Sequence, residues 1–415
     1  VDFLAGLPRP SSSRLAIRLT PDALRQVRAG HPWVYEASIA SVKGAGPHGG
    51  ASGDLAVVFD DDRNFVAIGL YDPASPIRVK LVHRGKPTTI DRAFWTQRLL
   101  AAQERRQPLI DRGDTTGFRL VNGENDSLPG LVLDRYGDTL VLKLYSAMWL
   151  PHLVDVVPAI ADAFHPHALV LRLARNMHGT PLHGLEEGDA LIGVSPPDPI
   201  MFTECGLTFE ADVVHGQKTG YFFDQRDNRE LIGTFADDCR VLDMFASTGG
   251  FSVHAAAGGA RDIVAVDMSA PALAAADRNI AHNLTRNEVA ACAFRTETGD
   301  AFEVMDRFTR KGERFEIVIV DPPSFTPRQT SVERALQSYT MLAERAVKLV
   351  RPDGLLLLAS CSSRVTADEF YLTVSHAAAR AGRPLEELRR TGHAIDHPVT
   401  FAQGAYLKAV LARVP

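Results

Sequence analysis

The chain has 415 residues, 45% hydrophobic and 23% charged, with a formal net charge of −5. That length exceeds one ordinary core and predicts two or three globular domains, and the acidic balance carries no overall nucleic-acid signature. Cys205, Cys239, Cys292 and Cys361 form no C-x-x-C pair, no run approaches a membrane-spanning length, and VDFLAGLPRPSSSR lacks the basic start and apolar core of a secretory leader; disulfide frameworks, zinc sites and membrane proteins are set aside, and a cytoplasmic protein with reduced thiols is expected.

From about Ser13 to Gly85 the chain reads as short strands. LAIRL, DLAVVF, FVAIGLY and IRVKLV alternate or run apolar, separated by GAGPHGGASG, DDDRN and DPASP, which are turn chemistry. A helix is predicted from Ile90 to Gln107, with Phe94, Trp95, Leu99 and Ala102 on one side and Pro108 ending it. From Arg78 to Arg112 nine basic residues stand against three acids, Asp91, Glu104 and Asp111. Such a run can be a footprint for phosphates, although charge alone favours a solvated helix face. Between about Asp114 and Glu210, LVLDRYGDTLVLKLY predicts a hairpin turning at Gly137-Asp138, and strand, helix and strand patterns continue to LTFEADVV, which predicts an α+β region.

From Arg240 onward strands and helices alternate. RVLDMFA, DIVAVD, FEIVIVD and LLLLAS predict strands; Ser269 caps one intervening helix, and Thr366 with Glu369 can form a capping box for another. This pattern predicts a mostly parallel sheet buried on both faces, with ligands at the carboxyl ends of its strands. The first strand runs into Asp243-Met244-Phe245-Ala246-Ser247-Thr248-Gly249-Gly250, where paired glycines let backbone approach a ligand. Asp243, Phe245, Ser247, Thr248, Gly249 and Gly250 are therefore cofactor-binding candidates. Asp267 ends the second strand, placed to accept hydrogen bonds from ribose hydroxyls. Asp300-Ala301 follows the third strand region. Asp321-Pro322-Pro323-Ser324-Phe325 closes the fourth, where two prolines stop the strand and stiffen its exit. The glycine turn is T-G-G and not G-x-G-x-x-G, and a nicotinamide enzyme has no use for Asp-Pro-Pro, so S-adenosylmethionine (SAM) is expected rather than a dinucleotide. GQKTG imitates a P-loop, but Gln217 precedes Lys218 and Asp212 stands where the first glycine belongs, which argues against ATP.

Over nearly its whole length the chain resembles the RlmI-like family, SAM-dependent 5-methylcytosine methyltransferases of large-subunit ribosomal RNA. The resemblance rests on GHPWVYE, FRLVNGENDSLPGLVLDRYGD, GQKTGYFFDQRDNR, LDMFASTGGFS, VDPPSF and SCSS. GQKTGYFFDQRDNR is the most specific of these. It implies a multidomain chain: an N-terminal β-rich PUA-like barrel that binds RNA (13–85), a helical linker (86–112), a central α+β domain (113–210), and a C-terminal α/β class I, Rossmann-like SAM-dependent methyltransferase domain (211–415). It also implies that Phe223, Asp224, Gln225 and Arg226 pack over SAM while Asp267 and Asp300 hold ribose and adenine. The family usually reads E-x-D-G-L-P-G; here Ser127 replaces the glycine, and is strained if that turn requires a positive φ.

Cys361 follows LLLLAS at a predicted strand end, ahead of the capped helix. Carbon C5 of cytosine is a poor nucleophile, and a thiolate adding to C6 makes C5 able to accept a methyl group. A random cysteine is more often a small core residue, and Cys205, Cys239 and Cys292 are read that way. Cys361, on the rim of the cofactor sheet, is read as the nucleophile. Asp321 would hold the target base, with Pro322 and Pro323 fixing its backbone and contacting substrate. Pro323 and Ser324 occupy the place where some RNA 5-methylcytosine enzymes carry a second cysteine, so the base that removes the C5 proton is unassigned. On the RNA side, Trp33, Tyr35 and Arg78 with the basic run that follows are the candidates. Ribosomal RNA is the expected partner, with no metal and no membrane. Two rivals are methylation of a guanine nitrogen, which needs no cysteine, and a non-catalytic RNA-binding assembly factor with a vestigial methyltransferase fold.

Overall fold

Strand and helix signals in this chain resolve into four sheets. The computed structural model describes residues 4, 6–44, 50–177, 179–216, 219–325 and 332–415. Gln217 and Lys218 of GQKTG, and 45–49 of the first glycine-rich turn, lie outside the described residues. By packing the chain divides into two compact units, one of 1–202, 211–221 and 395–401, the other of 203–210, 222–394 and 402–415.

The first unit holds two sheets. Strands β1 (Leu15–Leu19), β2 (Trp33–Tyr35), β3 (Ile39–Lys43), β4 (Leu55–Phe59), β5 (Phe65–Tyr71) and β6 (Ile77–Arg84) order as β2-β6-β5-β4-β1-β3. All neighbours are antiparallel except β1 and β4. Helix α1 (Pro21–Arg28) buries Ala23 and Val27 against Leu15, Ile17, Val58 and Val79. The predicted long helix is split. Helix α2 (Arg92–Arg105) buries the four residues expected, but Pro108 sits in the first turn of a second helix, α3 (Gln107–Asp111), where its missing N–H costs nothing.

Strands β7 (Gly117–Asn122), β8 (Leu131–Tyr136), β9 (Thr139–Leu144), β10 (Ala168–Leu173) and β11 (Ala190–Ile192) form the second sheet, ordered β11-β10-β9-β8-β7, and β8–β9 is the predicted hairpin. Ala147–Phe164, which includes helix α4 (Leu153–Phe164), is an 18-residue helical run long and apolar enough to cross a membrane, contrary to the reading of the sequence. Met148, Trp149, Leu153, Val156, Val157 and Ile160 are all buried in the protein core, so it is a core helix. Ser127 has φ 59°, the left-handed conformation expected of the glycine it replaces.

Strands β12 (Ile200–Glu204) and β13 (Leu207–Ala211) form a two-stranded sheet. The remaining sheet belongs to the second unit. It comprises β14 (Arg240–Met244), β15 (Asp262–Asp267), β16 (Ala293–Thr298), β17 (Phe315–Val320), β18 (Val350–Ser360), β19 (Glu386–Thr391) and β20 (Lys408–Val414), ordered β16-β15-β14-β17-β18-β20-β19. The first five are parallel, whereas β20 is antiparallel to both neighbours. Between the strands run α5 (Arg226–Gly233), α6 (Gly250–Ala257), α7 (Ala270–Ala281), α8 (Asn287–Ala291), α9 (Ala301–Arg310), α10 (Val332–Leu349) and α11 (Ala367–Arg380). On one face Met305, Phe308, Tyr339, Leu342 and Phe370 pack on Leu242, Val264, Val318 and Leu356, which is why the central strands read as unbroken apolar runs. Strand order reverses between β14 and β17, and a crevice at their carboxyl ends is the expected ligand site.

Candidate active site

The residues at that crevice are held by short, traceable constraints. The loop leaving β14 turns through three left-handed residues, Phe245 (φ 63°), Ser247 (φ 50°) and Gly249 (φ 76°). Two of these are not glycine, a strain that such loops tolerate where a ligand must be met by backbone. A Cβ on Gly249 would lie 2.7 Å from the Ala276 Cβ, so only glycine lets this turn settle onto α7. Asn279, which the sequence reading missed, is fully buried in α7 and donates from Nδ2 to the Thr248 carbonyl at 2.8 Å, pinning the loop.

Three carboxylates converge here. Asp243 is fully buried; its Oδ2 accepts from Ser252 N (3.1 Å) and Ser252 Oγ (2.7 Å), while its Oδ1 has no partner among the described residues. Burial, with the charges of Asp321 and Asp267 nearby, raises its pKa to about 7. Asp267 accepts from Ser247 N and Ser269 N, each at 2.9 Å, so it orders the loop as well as ending β15. Asp300 caps α9 through Oδ1, accepting from Phe302 N and Glu303 N, and Ala301 is buried behind it.

The FDQR segment forms the other wall. Phe223, Asp224, Gln225 and Arg226 are all buried. Gln225 donates from Nε2 to Asp321 Oδ1 at 2.8 Å, and Asn228 donates to Gln225 Oε1 at 2.6 Å, which fixes the amide. Tyr406 donates to Asp224 Oδ2 at 2.9 Å. The segment is anchored by Arg229, whose guanidinium grips Glu204 at 2.7 and 2.6 Å, with His254 Nε2 at 3.1 Å from the same carboxylate. Arg229 and His254 offset the burial of Glu204 and lower its pKa to about 2.

Cys361, half-buried just past β18, has Sγ 3.7 Å from the Pro322 carbonyl. Thiol and Asp-Pro-Pro thus meet at neighbouring strand ends. Pro322 is buried and Pro323 exposed. Lys408, another residue the sequence reading missed, is buried and donates to the carbonyls of Ser362, Val365 (2.6 Å) and Tyr406 (3.2 Å), tying down the loop that carries Cys361. Burial lowers its pKa to about 8, against the pull of Cys361 and Glu369. A lysine inside the apolar strand KAVLARV was the available signal.

The RNA-side candidates lie in the first unit. Trp33 donates from Nε1 to Glu124 at 2.9 Å and stands edge-on to His31 and Phe401, with centroids at 5.8 and 5.1 Å. Arg78 is ion-paired with Glu36 at 2.6 Å, so its charge is already partnered.

These features fit SAM. An unpartnered buried carboxylate oxygen among acidic neighbours suits a ligand with sulfonium and ammonium charges, and Gly249 keeps the backbone approach open. Comparison with known proteins agrees. A profile for S-adenosylmethionine-dependent methyltransferases matches residues 190–413, and a PUA-like domain profile matches residues 17–84. A Deinococcus radiodurans protein named ribosomal RNA large subunit methyltransferase is 43% identical over 98% of this chain and 99% of its own. A Tolumonas auensis protein named ribosomal RNA large subunit methyltransferase I is 34% identical over 96% of this chain and 98% of its own. In fold, the chain matches a crystal structure described as a methyltransferase complexed with SAH, with a TM-score of 0.81 at 21% identity, covering 97% of this chain and 100% of the other.

Proposed function

This chain belongs to the ribosomal RNA large subunit methyltransferases, SAM-dependent enzymes with an N-terminal PUA-like domain, and from that premise we propose that it methylates C5 of a cytosine in large-subunit ribosomal RNA. The observation that carries the choice of C5 is the Cys361 thiol, 3.7 Å from the carbonyl of Pro322 in the Asp-Pro-Pro segment.

SAM, when bound, supplies an electrophilic methyl group. Asp243, the loop from Phe245 to Gly250, Asp267, Asp300 and the FDQR segment hold it. Cys361 as thiolate adds to C6 of the base, and the electron pair displaced from the C5–C6 bond makes C5 nucleophilic. Asp321, oriented by Gln225, accepts a hydrogen bond from the base and steadies it during that addition. After C5 is methylated its proton leaves, and the returning electron pair expels the thiolate. Lys408 keeps a positive charge close to the thiolate while it forms.

The test uses RNA carrying 5-fluorocytosine at the target. Such a base accepts the thiolate but has no C5 proton to lose, so wild type forms a SAM-dependent covalent complex stable in a denaturing gel. Cys361→Ala should form none, lose methyl transfer, and retain SAM and RNA binding. Full activity in Cys361→Ala would overturn both the covalent route and the choice of C5, leaving methylation of a nitrogen.

A further inference from the structure

The basic run from Arg78 to Arg112 is mostly neutralised. Arg78, Lys80, Arg92, Arg105, Arg106 and Arg112 each pair with a carboxylate. Arg84 and Arg98 do not. Their side chains line a cavity of about 360 Å³ with His83, Thr88, Phe94 and Gln97, a set that contains no acid. Arg84 Nη2 donates to the carbonyls of Gly30 (2.8 Å) and His31 (2.7 Å), and its buried Nε has no partner among the described residues. Arg98 lies over the Phe94 ring, 4.9 Å from its centroid, with Nη2 3.0 Å from His83 Nδ1. Burial lowers the pKa of both guanidiniums, and each repels a neighbour, Arg98 for Arg84 and Arg105 for Arg98. Two half-buried like charges without a counter-charge are costly unless an anion joins them.

The surroundings indicate which anion. Arg84 holds the carbonyl of His31, whose ring lies 5.8 Å from Trp33 and 6.4 Å from the exposed Tyr35. An anion site beside aromatic rings matches the phosphate and base of one nucleic-acid strand. We propose that the cavity between Arg84 and Arg98 binds a backbone phosphate of the substrate RNA and sets a neighbouring base against the His31, Trp33 and Tyr35 rings. The site rests on the RNA-methyltransferase reading above and adds where the RNA is gripped.

The experiment measures binding of a labelled, unmodified large-subunit ribosomal RNA transcript by fluorescence anisotropy across a salt series. It compares wild type, Arg84→Gln/Arg98→Gln, and Arg380→Gln as a charge control on α11. The double variant should bind at least about tenfold more weakly, with a slope of log affinity against log salt shallower by about 1.5, since each lost phosphate contact removes roughly 0.7–0.9. SAM affinity and thermal unfolding should match wild type, and Arg380→Gln should behave as wild type. Arg84→Gln removes bonds to Gly30 and His31, so Arg98→Glu, which disturbs no backbone bond, is measured as well and should weaken binding alone. If wild type binds RNA and these variants bind it equally, the site is wrong while the RNA reading stands. A wild type that binds no RNA overturns both. Loss of inorganic phosphate binding with unchanged RNA affinity would mark a free-anion site and also overturn the proposal.

Discussion

Asp243 gives the sharpest physical test of the cofactor site. Its carboxyl is fully buried with one oxygen unpartnered, and its pKa is raised from 3.8 to about 7. A raised acid favours its protonated form in the folded state. Its contribution is therefore fully present below the unfolded value and is lost as pH climbs through about 7. At about 1.4 kcal/mol per unit, the shift corresponds to roughly 4 kcal/mol lost between acid and alkaline pH. Asp243→Asn keeps an acceptor for Ser252 but cannot ionise. Ligand-free wild type and variant should be about equally stable near pH 4, and the variant should gain on wild type towards pH 8, approaching that figure. The assay is chemical denaturation followed by circular dichroism, because Trp33, Trp95 and Trp149 all lie in the first unit and fluorescence would miss the second. A cationic ligand should favour the carboxylate, so SAM affinity in wild type should rise through about pH 7 while the variant stays flat. Parallel stability curves for the two proteins from pH 5 to 8 would refute the reasoning.

Lys408→Met should move the pH profile of Cys361 alkylation to higher pH, with Lys408→Arg restoring part of it; an unmoved profile means the ammonium only braces its three carbonyls. Arg229→Met leaves the Glu204 carboxylate buried with only His254 and should destabilise the protein by about 3–5 kcal/mol at pH 7. The loss should shrink as pH falls below about 4.5, where a carboxylate with a lowered folded pKa no longer favours the native state; a loss independent of pH would sink that account. Ser127→Gly relieves a left-handed φ of 59° and should stabilise by about 0.5–1 kcal/mol in the same denaturation assay, whereas destabilisation would mean the serine side chain holds the turn.

The placement of residues at strand ends was readable in the sequence because it follows from local rules. Apolar runs of strand length, helix caps at Ser269 and Thr366, and Asp-Pro-Pro after the fourth strand put Asp243, Asp267, Asp321 and Cys361 at one edge of a parallel sheet, and the structure has them there. The left-handed turn at Ser127 and the hairpin at Gly137-Asp138 were equally local.

What remained hidden depends on partners distant in sequence. The basic run looked like one footprint, yet Asp72, Asp126 and Asp162 neutralise much of it. Arg106, fully buried, donates from all five N–H groups to Asp126 and to the carbonyls of Ala102, Arg119 and Asp396. Asp396 and Phe401 pack in the first unit although the chain on either side belongs to the second. The sequence by itself determined which chemical groups reach the crevice, since strand and turn propensities act over a few residues. Only the tertiary structure decided which of those charges stay uncompensated, because ionisation and charge depend on burial and on neighbours brought from anywhere in the chain. That is why Asp243, Arg84 and Arg98, ordinary residues when read in line, emerge as the groups with charge still to be answered.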